Sequence, residues 1–202
     1  MKIIDLEQGS KEWLDWRKSR ITASDASVIL RSNRYTNPTK LWEDKMEISA
    51  PKFSNHHMER GKLLEPIARD LFIETTGIHI DPLVIEHDSF FWMGASLDGI
   101  DKSRRIIVEI KCPEISGHQA ALNNEIPPMY KAQMQHQLYA TEAEMCFYVT
   151  YNQQHEQRLS ILEVSRDEKF MQNMINAELE FYEEFICAFK KPPLTWKYKN
   201  AA

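Results

Sequence analysis

The pattern of hydrophobic and polar positions divides the chain into a helical first part and a more extended second part. Before Gly77, apolar residues recur at helical spacing, most clearly in a helix predicted over residues 57–76. Pro66 interrupts this pattern and predicts either a kink or a later start of that helix. Three shorter helices are predicted upstream: residues 11–19, a segment that starts near Thr22 or Ser24, and residues 38–48.

After Gly77 the chain is rich in β-branched and apolar residues, which predicts strands over residues 78–85, 90–95 and 106–111. The segment "SLDGIDKSRR" joins the last two as an antiparallel hairpin and places Asp98 at the end of a strand, beside the turn. Further elements follow: helices over 117–123 and 128–141, strands over 145–151 and 157–164, and a helix over 167–189. This order predicts an α/β fold in which a mixed β-sheet is flanked by helices.

Length and composition favour one soluble globular domain. A chain of 202 residues suits a single core, so we expect one domain over residues 1–202, with residues 190–202 as a tail. No apolar run approaches the ~18 residues of a membrane span, and no secretory signal is apparent, which favours a cytoplasmic protein with no membrane contact. The three cysteines show no CxxC spacing, which argues against a disulfide framework or a zinc finger.

Charge is distributed unevenly along the chain. Residues 1–62 hold 12 basic and 9 acidic residues, whereas residues 63–202 hold 13 and 21, and the net charge is −5. Between Arg17 and Lys40, six basic residues accompany a single acid, Asp25. This segment is either a solvated basic helix face or a patch that meets phosphate, and the sequence leaves both interpretations open.

Glu109 and Lys111 form the first candidate for chemistry. Residues two apart in a strand share a face, so the strand "IIVEIK" presents this pair together. The predicted hairpin brings Asp98 near them, and two clustered carboxylates favour a hard cation such as Mg²⁺ between them. A lysine beside the ion can hold and polarise an attacking water. The alternative is a solvated strand edge, since residues 43–45 also read E-x-K within a predicted helix.

Two other predicted helices add polar side chains to this candidate site. Glu65 belongs to the long helix, and Gln133 and Gln137 lie four residues apart on one face of a later helix. Polar groups on an otherwise buried helix suit the surroundings of a metal site. Taken singly, a solvent-facing glutamate or glutamine is the commoner case.

Five sequence blocks, taken in order, resemble the bacteriophage lambda exonuclease family, the viral alkaline exonucleases or recombinases of the PD-(D/E)xK nuclease superfamily. The blocks are "WRKSRITASDAS", "GKLLEPIARDLF", "GASLDG", "VEIKCP" and "YKAQMQHQLY", and the resemblance spans residues 9–167. It implies a restriction-endonuclease-like mixed sheet with flanking helices. The motif departs from the superfamily form at Leu97, which stands where a proline is usual and supplies no ligand.

The resemblance also implies roles for individual residues. The implied catalytic set is Asp98, Glu109, Lys111, Glu65 and Gln133. Asp98 and Glu109 would bind the metal together with the main-chain carbonyl of Ile110, and Lys111 would orient the attacking water. Glu65 and Gln133 would support that water and the lysine. A separate pocket, formed by Arg17 and Ser24, would hold a terminal 5′-phosphate of DNA.

By this resemblance we expect a Mg²⁺-dependent exonuclease, in which Mn²⁺ can substitute, that digests the 5′-ended strand of linear double-stranded DNA to mononucleotides. The 3′ overhang that remains would serve recombination by strand annealing. A homotrimeric ring and a single-strand annealing protein as partner are further expectations, as is the cytoplasm of a bacterial host for a phage-encoded chain. Two alternatives remain, an endonuclease of the same superfamily and a non-catalytic DNA-binding accessory protein in recombination. The basic pair Arg104 and Arg105 has no assigned role, and a phosphate contact by Arg104 is one hypothesis.

Overall fold

The computed structural model describes residues 1–48 and 56–187, in which helices and strands are mixed along the chain. The helices within these residues are α1 (Lys11–Lys18), α2 (Ala23–Ile29), α3 (Pro38–Lys45), α4 (His56–Thr76), α5 (Ile115–Leu122), α6 (Pro128–Thr141) and α7 (Glu168–Phe181). The strands are β1 (Lys2–Ile3), β2 (Ile21–Thr22), β3 (Ile80–Glu86), β4 (Met93–Asp101), β5 (Ile106–Lys111), β6 (Met145–Tyr151) and β7 (Leu159–Ser165). A π-helical segment, Tyr182–Cys187, continues α7.

The strands form one mixed sheet. Its order is β1-β3-β4-β5-β6-β7, and β2 pairs with β4 outside this path. The β5–β6 and β2–β4 pairs are parallel and the other pairs are antiparallel. Because a parallel pair needs a crossover, α5 and α6 connect β5 to β6 across one face of the sheet. The predicted fold class, a mixed sheet flanked by helices, is confirmed.

Two apolar cores cover the opposite faces of β5. Val108 and Ile110 pack on the side of α4, in a cluster with the buried side chains Leu64, Ala68 and Phe72. Ile107 packs on the other side, in the cluster that contains Met134 and Leu138 of α6. Glu109 and Lys111 share the face of Ile107, because side chains alternate along a strand. The sheet therefore directs this pair of charges towards α6, beneath a helix rather than into open solvent.

The hairpin between β4 and β5 turns later than the sequence predicted, because β4 continues through Asp98 and Gly99. Gly99 is a packing residue: a Cβ atom there would lie 2.4 Å from Cδ1 of Ile80 on the neighbouring strand. Asp101 forms the turn, since its carboxylate accepts hydrogen bonds from main-chain amides within residues 103–106. The predicted position of Asp98, at the end of a strand beside the turn, was wrong, because Asp98 belongs to the interior of β4.

Helix α4 passes through Pro66 without ending. Pro66 is exposed to solvent, so the helix loses one hydrogen bond where water can replace it. The helix ends before Gly77, whose φ of 72° suits the end of a helix, as predicted. Among the described residues, none of the helices combines the length and apolar character that crossing a bilayer requires. The predicted tail, residues 190–202, lies outside the described residues.

Candidate functional site

The carboxylate of Glu109 is the centre of a buried polar cluster between β5 and α6. Glu109 is only 1% exposed. Its Oε1 accepts a hydrogen bond from Nε2 of Gln133 at 2.7 Å, and its Oε2 accepts one from Nε2 of Gln137 at 2.5 Å. Because the two glutamines are four residues apart, one face of α6 supplies both donors. Lys111 forms an ion pair with the same Oε1.

The ammonium of Lys111 lies between this carboxylate and an aromatic ring. Its Nζ is 5.2 Å from the ring centroid of Tyr130, and its side chain remains 26% exposed. Burial works to lower the pKa of Lys111, but the charges of Glu109 and Asp98 raise it above the ordinary value of a lysine. Lys111 is therefore a permanent cation that can donate hydrogen bonds to a water or a phosphate oxygen.

Asp98 reaches the cluster from β4. The β4–β5 register ends at Gly99 and Val108, and beyond it Oδ2 of Asp98 accepts a hydrogen bond of 2.8 Å from the main-chain amide of Ile110. In an extended strand the amide and carbonyl of one residue point to the same side. The carbonyl of Ile110 is therefore directed to the side of β5 on which Asp98 lies.

Glu65 and Arg69 approach the cluster from α4. The Nη2 atom of Arg69 donates a hydrogen bond to Oε1 of Glu65 at 2.5 Å, across one helical turn. Nε of the same guanidinium donates to the main-chain carbonyl of Asp98 at 2.7 Å. The structure thus brings together four predicted acidic and basic residues, Glu65, Asp98, Glu109 and Lys111, and adds Arg69. We call these five residues the carboxylate cluster.

With all of its groups ionised, the carboxylate cluster holds one more negative charge than positive charge, because it contains three carboxylates and two cations. Burial, and then the charge of Glu109, raise the pKa of Asp98 well above its ordinary value. Burial also raises the pKa of Glu65, which Arg69 partly offsets. A raised pKa means that Asp98 and Glu65 hold a proton more tightly than isolated carboxyl groups do. A cation placed between the carboxylates would relieve the same repulsion.

The donor atoms fit a hard divalent cation. Asp98, Glu109 and the carbonyl of Ile110 offer oxygen only, the ligand type that Mg²⁺ prefers. No three His, Cys, Asp or Glu side chains are grouped for metal binding in residues 1–48 and 56–187, and the candidate ligands are two carboxylates and one carbonyl. Gln137 leaves its buried Oε1 without a hydrogen-bond partner among the same residues. The chemistry of the donors and the excess negative charge agree with the predicted metal ligands.

A second polar cluster lies at the N-terminal helices. Nη2 of Arg17 donates to Oγ of Ser24 at 2.9 Å and to Oγ1 of Thr22 at 3.3 Å, and the guanidinium lies 4.4 Å from the ring centroid of Trp13. Burial lowers the pKa of Arg17 and Asp25 partly offsets this, but a guanidinium stays charged at neutral pH. The predicted pair Arg17 and Ser24 is therefore in direct contact, and Ser24 is exposed.

Asp25 and Lys45 form a buried ion pair behind this surface. Their charged atoms are 2.8 Å apart, and their side chains are 10% and 6% exposed. Nζ of Lys45 also donates to the main-chain carbonyls of Arg17 at 3.0 Å and Arg20 at 2.5 Å. Oδ2 of Asp25 also accepts from the amide and the hydroxyl of Thr22. We call Arg17, Asp25 and Lys45 the anchor cluster, and it holds one excess positive charge.

Two functional candidates were missed by reasoning from the sequence, Arg69 and Tyr130, whereas Gln137 was predicted near the site together with Gln133. Spacing carried a signal for Arg69, because it is four residues from Glu65. The approach of Tyr130 to Lys111 depends on how α6 packs over β5, so the sequence gave no signal for it. Arg104 lies on the hairpin turn at the far end of β5 from Lys111, and its phosphate contact stays a prediction.

Comparisons with known proteins identify the family of this chain. A family model described as the YqaJ-like viral recombinase domain matches residues 12–144, more than half of the chain. The chain is 25% identical over 193 residues to the uncharacterized protein YqaJ of Bacillus subtilis (strain 168), covering 93% of this chain and 60% of that protein. It is 28% identical over 159 residues to an uncharacterized protein of Acanthamoeba polyphaga mimivirus, covering 72% of this chain and 29% of that protein. The chain therefore spans less than two thirds of the length of either relative.

Among solved structures, the alkaline exonuclease LHK-Exo from Laribacter hongkongensis has a similar fold. Its crystal structure superposes with a TM-score of 0.76 at 24% identity, and its complex with dAMP superposes with a TM-score of 0.75 at 25% identity. Each comparison covers 86% of this chain and 91% of the other. The resemblance to the lambda exonuclease family of viral recombinases is confirmed, and the chain belongs to the YqaJ-like viral recombinase family.

Proposed function

We propose that this protein is a Mg²⁺-dependent exonuclease that digests the 5′-ended strand of linear double-stranded DNA to mononucleotides and leaves a 3′ single-stranded overhang. The carboxylate cluster carries the proposal, because Asp98, Glu109 and Lys111 meet at one end of β5 with an excess negative charge. Similarity to an alkaline exonuclease supports a nuclease, and the complex of that relative with dAMP supports a nucleoside monophosphate as the product.

The proposed reaction is hydrolysis of the first phosphodiester bond from the 5′ end. Water attacks the phosphorus atom and loses a proton, and the bond to the 3′ oxygen of the terminal nucleotide breaks as that oxygen gains a proton. The terminal nucleotide leaves with its own 5′-phosphate, and the shortened strand has a new 5′-phosphate. Bound Mg²⁺, or Mn²⁺ in its place, would act as a Lewis acid towards the phosphate oxygens. Asp98, Glu109 and the carbonyl of Ile110 would hold the ion.

Lys111 supplies a fixed positive charge at the attacking side. Its ammonium is held by Glu109 and the ring of Tyr130 but is partly exposed, so it can orient a water towards the phosphate. Gln133 fixes Oε1 of Glu109, and Glu65 is the further carboxylate beside the water and the lysine. These contacts agree with the roles that the family resemblance implies for Glu65 and Gln133.

The anchor cluster is the proposed binding site for the 5′ end of the DNA strand that is digested. Its excess positive charge, the Arg17 guanidinium and the exposed hydroxyl of Ser24 suit a doubly charged terminal 5′-phosphate. Because each cycle of the proposed reaction leaves a new 5′-phosphate, the same pocket can bind the substrate after every cleavage. We propose that this repeated binding restricts digestion to the 5′-ended strand.

A ring of three chains would reconcile a net charge of −5 with DNA binding, because only the groups that line a channel need to be basic. We therefore propose a homotrimer that encloses duplex DNA, together with a single-strand annealing protein that receives the 3′ overhang. The cytoplasm of a bacterial host is the proposed location of a phage-encoded chain. Sedimentation of the protein with and without duplex DNA tests the oligomer.

A 5′-phosphorylated linear duplex, incubated with the folded protein and Mg²⁺, tests the activity. We expect mononucleotides from the 5′-ended strand and none when EDTA replaces Mg²⁺. Covalently closed circular DNA separates the alternatives, because an end-dependent enzyme leaves it intact and an endonuclease cuts it. Folded protein that digests neither substrate, and shows no calorimetric Mn²⁺ binding dependent on Asp98 and Glu109, would instead support a non-catalytic accessory protein.

A further inference from the structure

Arg69 connects two parts of the carboxylate cluster by hydrogen bonds. Its Nη2 contacts Oε1 of Glu65, and its Nε contacts the carbonyl of Asp98. The side chain is 15% exposed and lines a cavity of about 410 Å³ that Glu65 also lines. One guanidinium therefore links α4 to the main chain of β4 at the residue predicted to bind the metal.

The pairing between β3 and β4 is irregular beside Asp98, where Arg69 binds. The β3–β4 register shifts between Asp81 and Leu83, so Pro82 stands opposite this part of β4. Proline has no N–H group and cannot donate a ladder hydrogen bond. The carbonyl of Asp98 accepts from Nε of Arg69, while its carboxylate accepts from the amide of Ile110. Asp98 is thus fixed by α4 on one side and by β5 on the other.

The geometry depends on a planar fork and not only on a positive charge. Arginine presents several N–H donors at fixed angles, so one side chain can bind a carboxylate and a carbonyl at the same time. A lysine at position 69 would keep the charge and could neutralise Glu65. It has a single nitrogen, however, and it would not reproduce the two contacts in the same directions.

We propose that Arg69 is a positioning residue that sets the spacing between Glu65 and Asp98, and through it the affinity of the site for a divalent cation. This inference rests on the proposed function for its effect on DNA digestion. Its effect on cation binding needs no turnover. Partners of metal ligands typically contribute 10- to 100-fold to affinity or activity, which gives the scale of the expected loss.

The test compares Arg69→Lys with Arg60→Lys, a matched control on the same helix. Arg60 is 14% exposed and Nη1 donates to Oε1 of Glu114 at 2.7 Å, away from Asp98. The probe is Mn²⁺ alone, titrated calorimetrically into each folded protein. We expect Arg69→Lys to weaken Mn²⁺ binding roughly tenfold or more and Arg60→Lys to leave it unchanged.

Digestion of 5′-phosphorylated duplex gives the second measurement. Arg69→Lys should lower kcat by roughly tenfold or more with little change in KM, and excess Mn²⁺ should recover part of it. Arg69→Ala should regain activity when methylguanidinium is added, which a general loss of folding would not allow. If Arg69→Lys matches wild type in both Mn²⁺ affinity and kcat, or if the alanine variant shows no rescue, the proposal for Arg69 is wrong.

The two proposals fail in different ways. Wild-type protein that binds Mn²⁺ but digests no DNA overturns the exonuclease proposal, and the Mn²⁺ titrations of the two lysine variants still decide the role of Arg69. Wild-type protein that digests DNA while Arg69→Lys behaves like wild type overturns only the inference about Arg69. Wild-type protein that neither binds Mn²⁺ nor digests DNA overturns both.

Discussion

The anchor cluster and the carboxylate cluster are built from the same residue types but carry opposite excess charges. In the anchor cluster, Asp25 is bonded by Lys45 and Thr22, and Arg17 adds a second positive charge. In the carboxylate cluster, Asp98 and Glu109 both lie near a single lysine, Lys111. Burial and the charge of Glu109 raise the pKa of Asp98 well above its ordinary value. Both clusters contain a buried lysine–carboxylate pair, so the sign of the excess charge is what distinguishes a site for a cation from a site for an anion.

The two E-x-K sequences of the chain show this difference directly. In residues 43–45 the pattern lies on α3, where Glu43 pairs with Lys40 and Lys45 turns away to Asp25. In residues 109–111 it lies on β5, where both side chains share one face and form an ion pair. Secondary structure decides whether the pattern places its two charges together.

Removing Lys111 should give the largest effect. Lys111→Ala should lower turnover of 5′-phosphorylated duplex by about 10²- to 10³-fold, because the fixed positive charge at the attacking water is lost. Filter binding of DNA should change little. Lys131→Ala is the matched control, since Lys131 pairs with Asp167 and lies 5.4 Å from the ring centroid of Phe170. Equal loss of activity in both variants would mean that Lys111 has no special role.

The same substitution in the two clusters should change stability in opposite directions. Asp25→Asn leaves Lys45 buried without its partner and should lower the free energy of unfolding by about 3–5 kcal/mol. Asp98→Asn removes a repelled charge and should raise the free energy of unfolding in EDTA, while abolishing Mg²⁺-dependent digestion. Urea unfolding at pH 7 measures both. Destabilisation by both substitutions would contradict the assignment of an excess negative charge to the carboxylate cluster.

Loss of the Arg17 guanidinium from the anchor cluster should change which 5′ ends of DNA the enzyme prefers. Arg17→Ala should reduce the preference for a phosphorylated over a hydroxyl 5′ end by roughly tenfold, the scale of a charge-assisted hydrogen bond. Digestion of the two substrates in competition measures the ratio. Arg20→Ala is the control. Because Arg20 is already paired with Glu86 at 2.7 Å, this substitution should leave the ratio unchanged. Wild-type protein without any end preference would remove this role from Arg17.

The smallest expected effect is a difference in how the pH changes the free energy of unfolding of the Asp25 and Asp98 variants. Burial opposes the ionised form of Asp25, yet Lys45 and Arg17 hold its pKa below 3.8, so its contribution is present above pH 3.8 and lost as the pH falls through the folded pKa. The pKa of Asp98 is raised, so the gain from Asp98→Asn should be absent below about pH 3.8, grow as the pH rises towards the folded pKa, and stay constant above it. Unfolding of both variants and wild type across pH 3–8 checks these slopes. Parallel curves for all three proteins would contradict both directions.

Much of the fold followed from local pattern. The spans of α6, β5 and β6 agree with the prediction because each is uniform in period and has clear limits. Asp98 was predicted at the end of a strand because aspartate and glycine favour turns locally, whereas β4 continues to Asp101 and Gly99 makes room for Ile80 in the next strand. The two-residue strands β1 and β2 were not predicted, since two residues carry no measurable period.

The sequence by itself determined the alternation that puts Glu109 and Lys111 on one face of a strand, the helical spacing of Gln133 and Gln137, and the order of blocks that identified the family. These features depend on neighbours within a few residues, where chain geometry is nearly fixed. Only the tertiary structure decided that Asp98 meets Ile110, that Arg69 bridges to Asp98, and that Lys45 belongs to Asp25. Such contacts depend on how α3, α4 and the hairpin pack. Local residue spacing does not determine this long-range packing, nor the balance of charges that the packing creates.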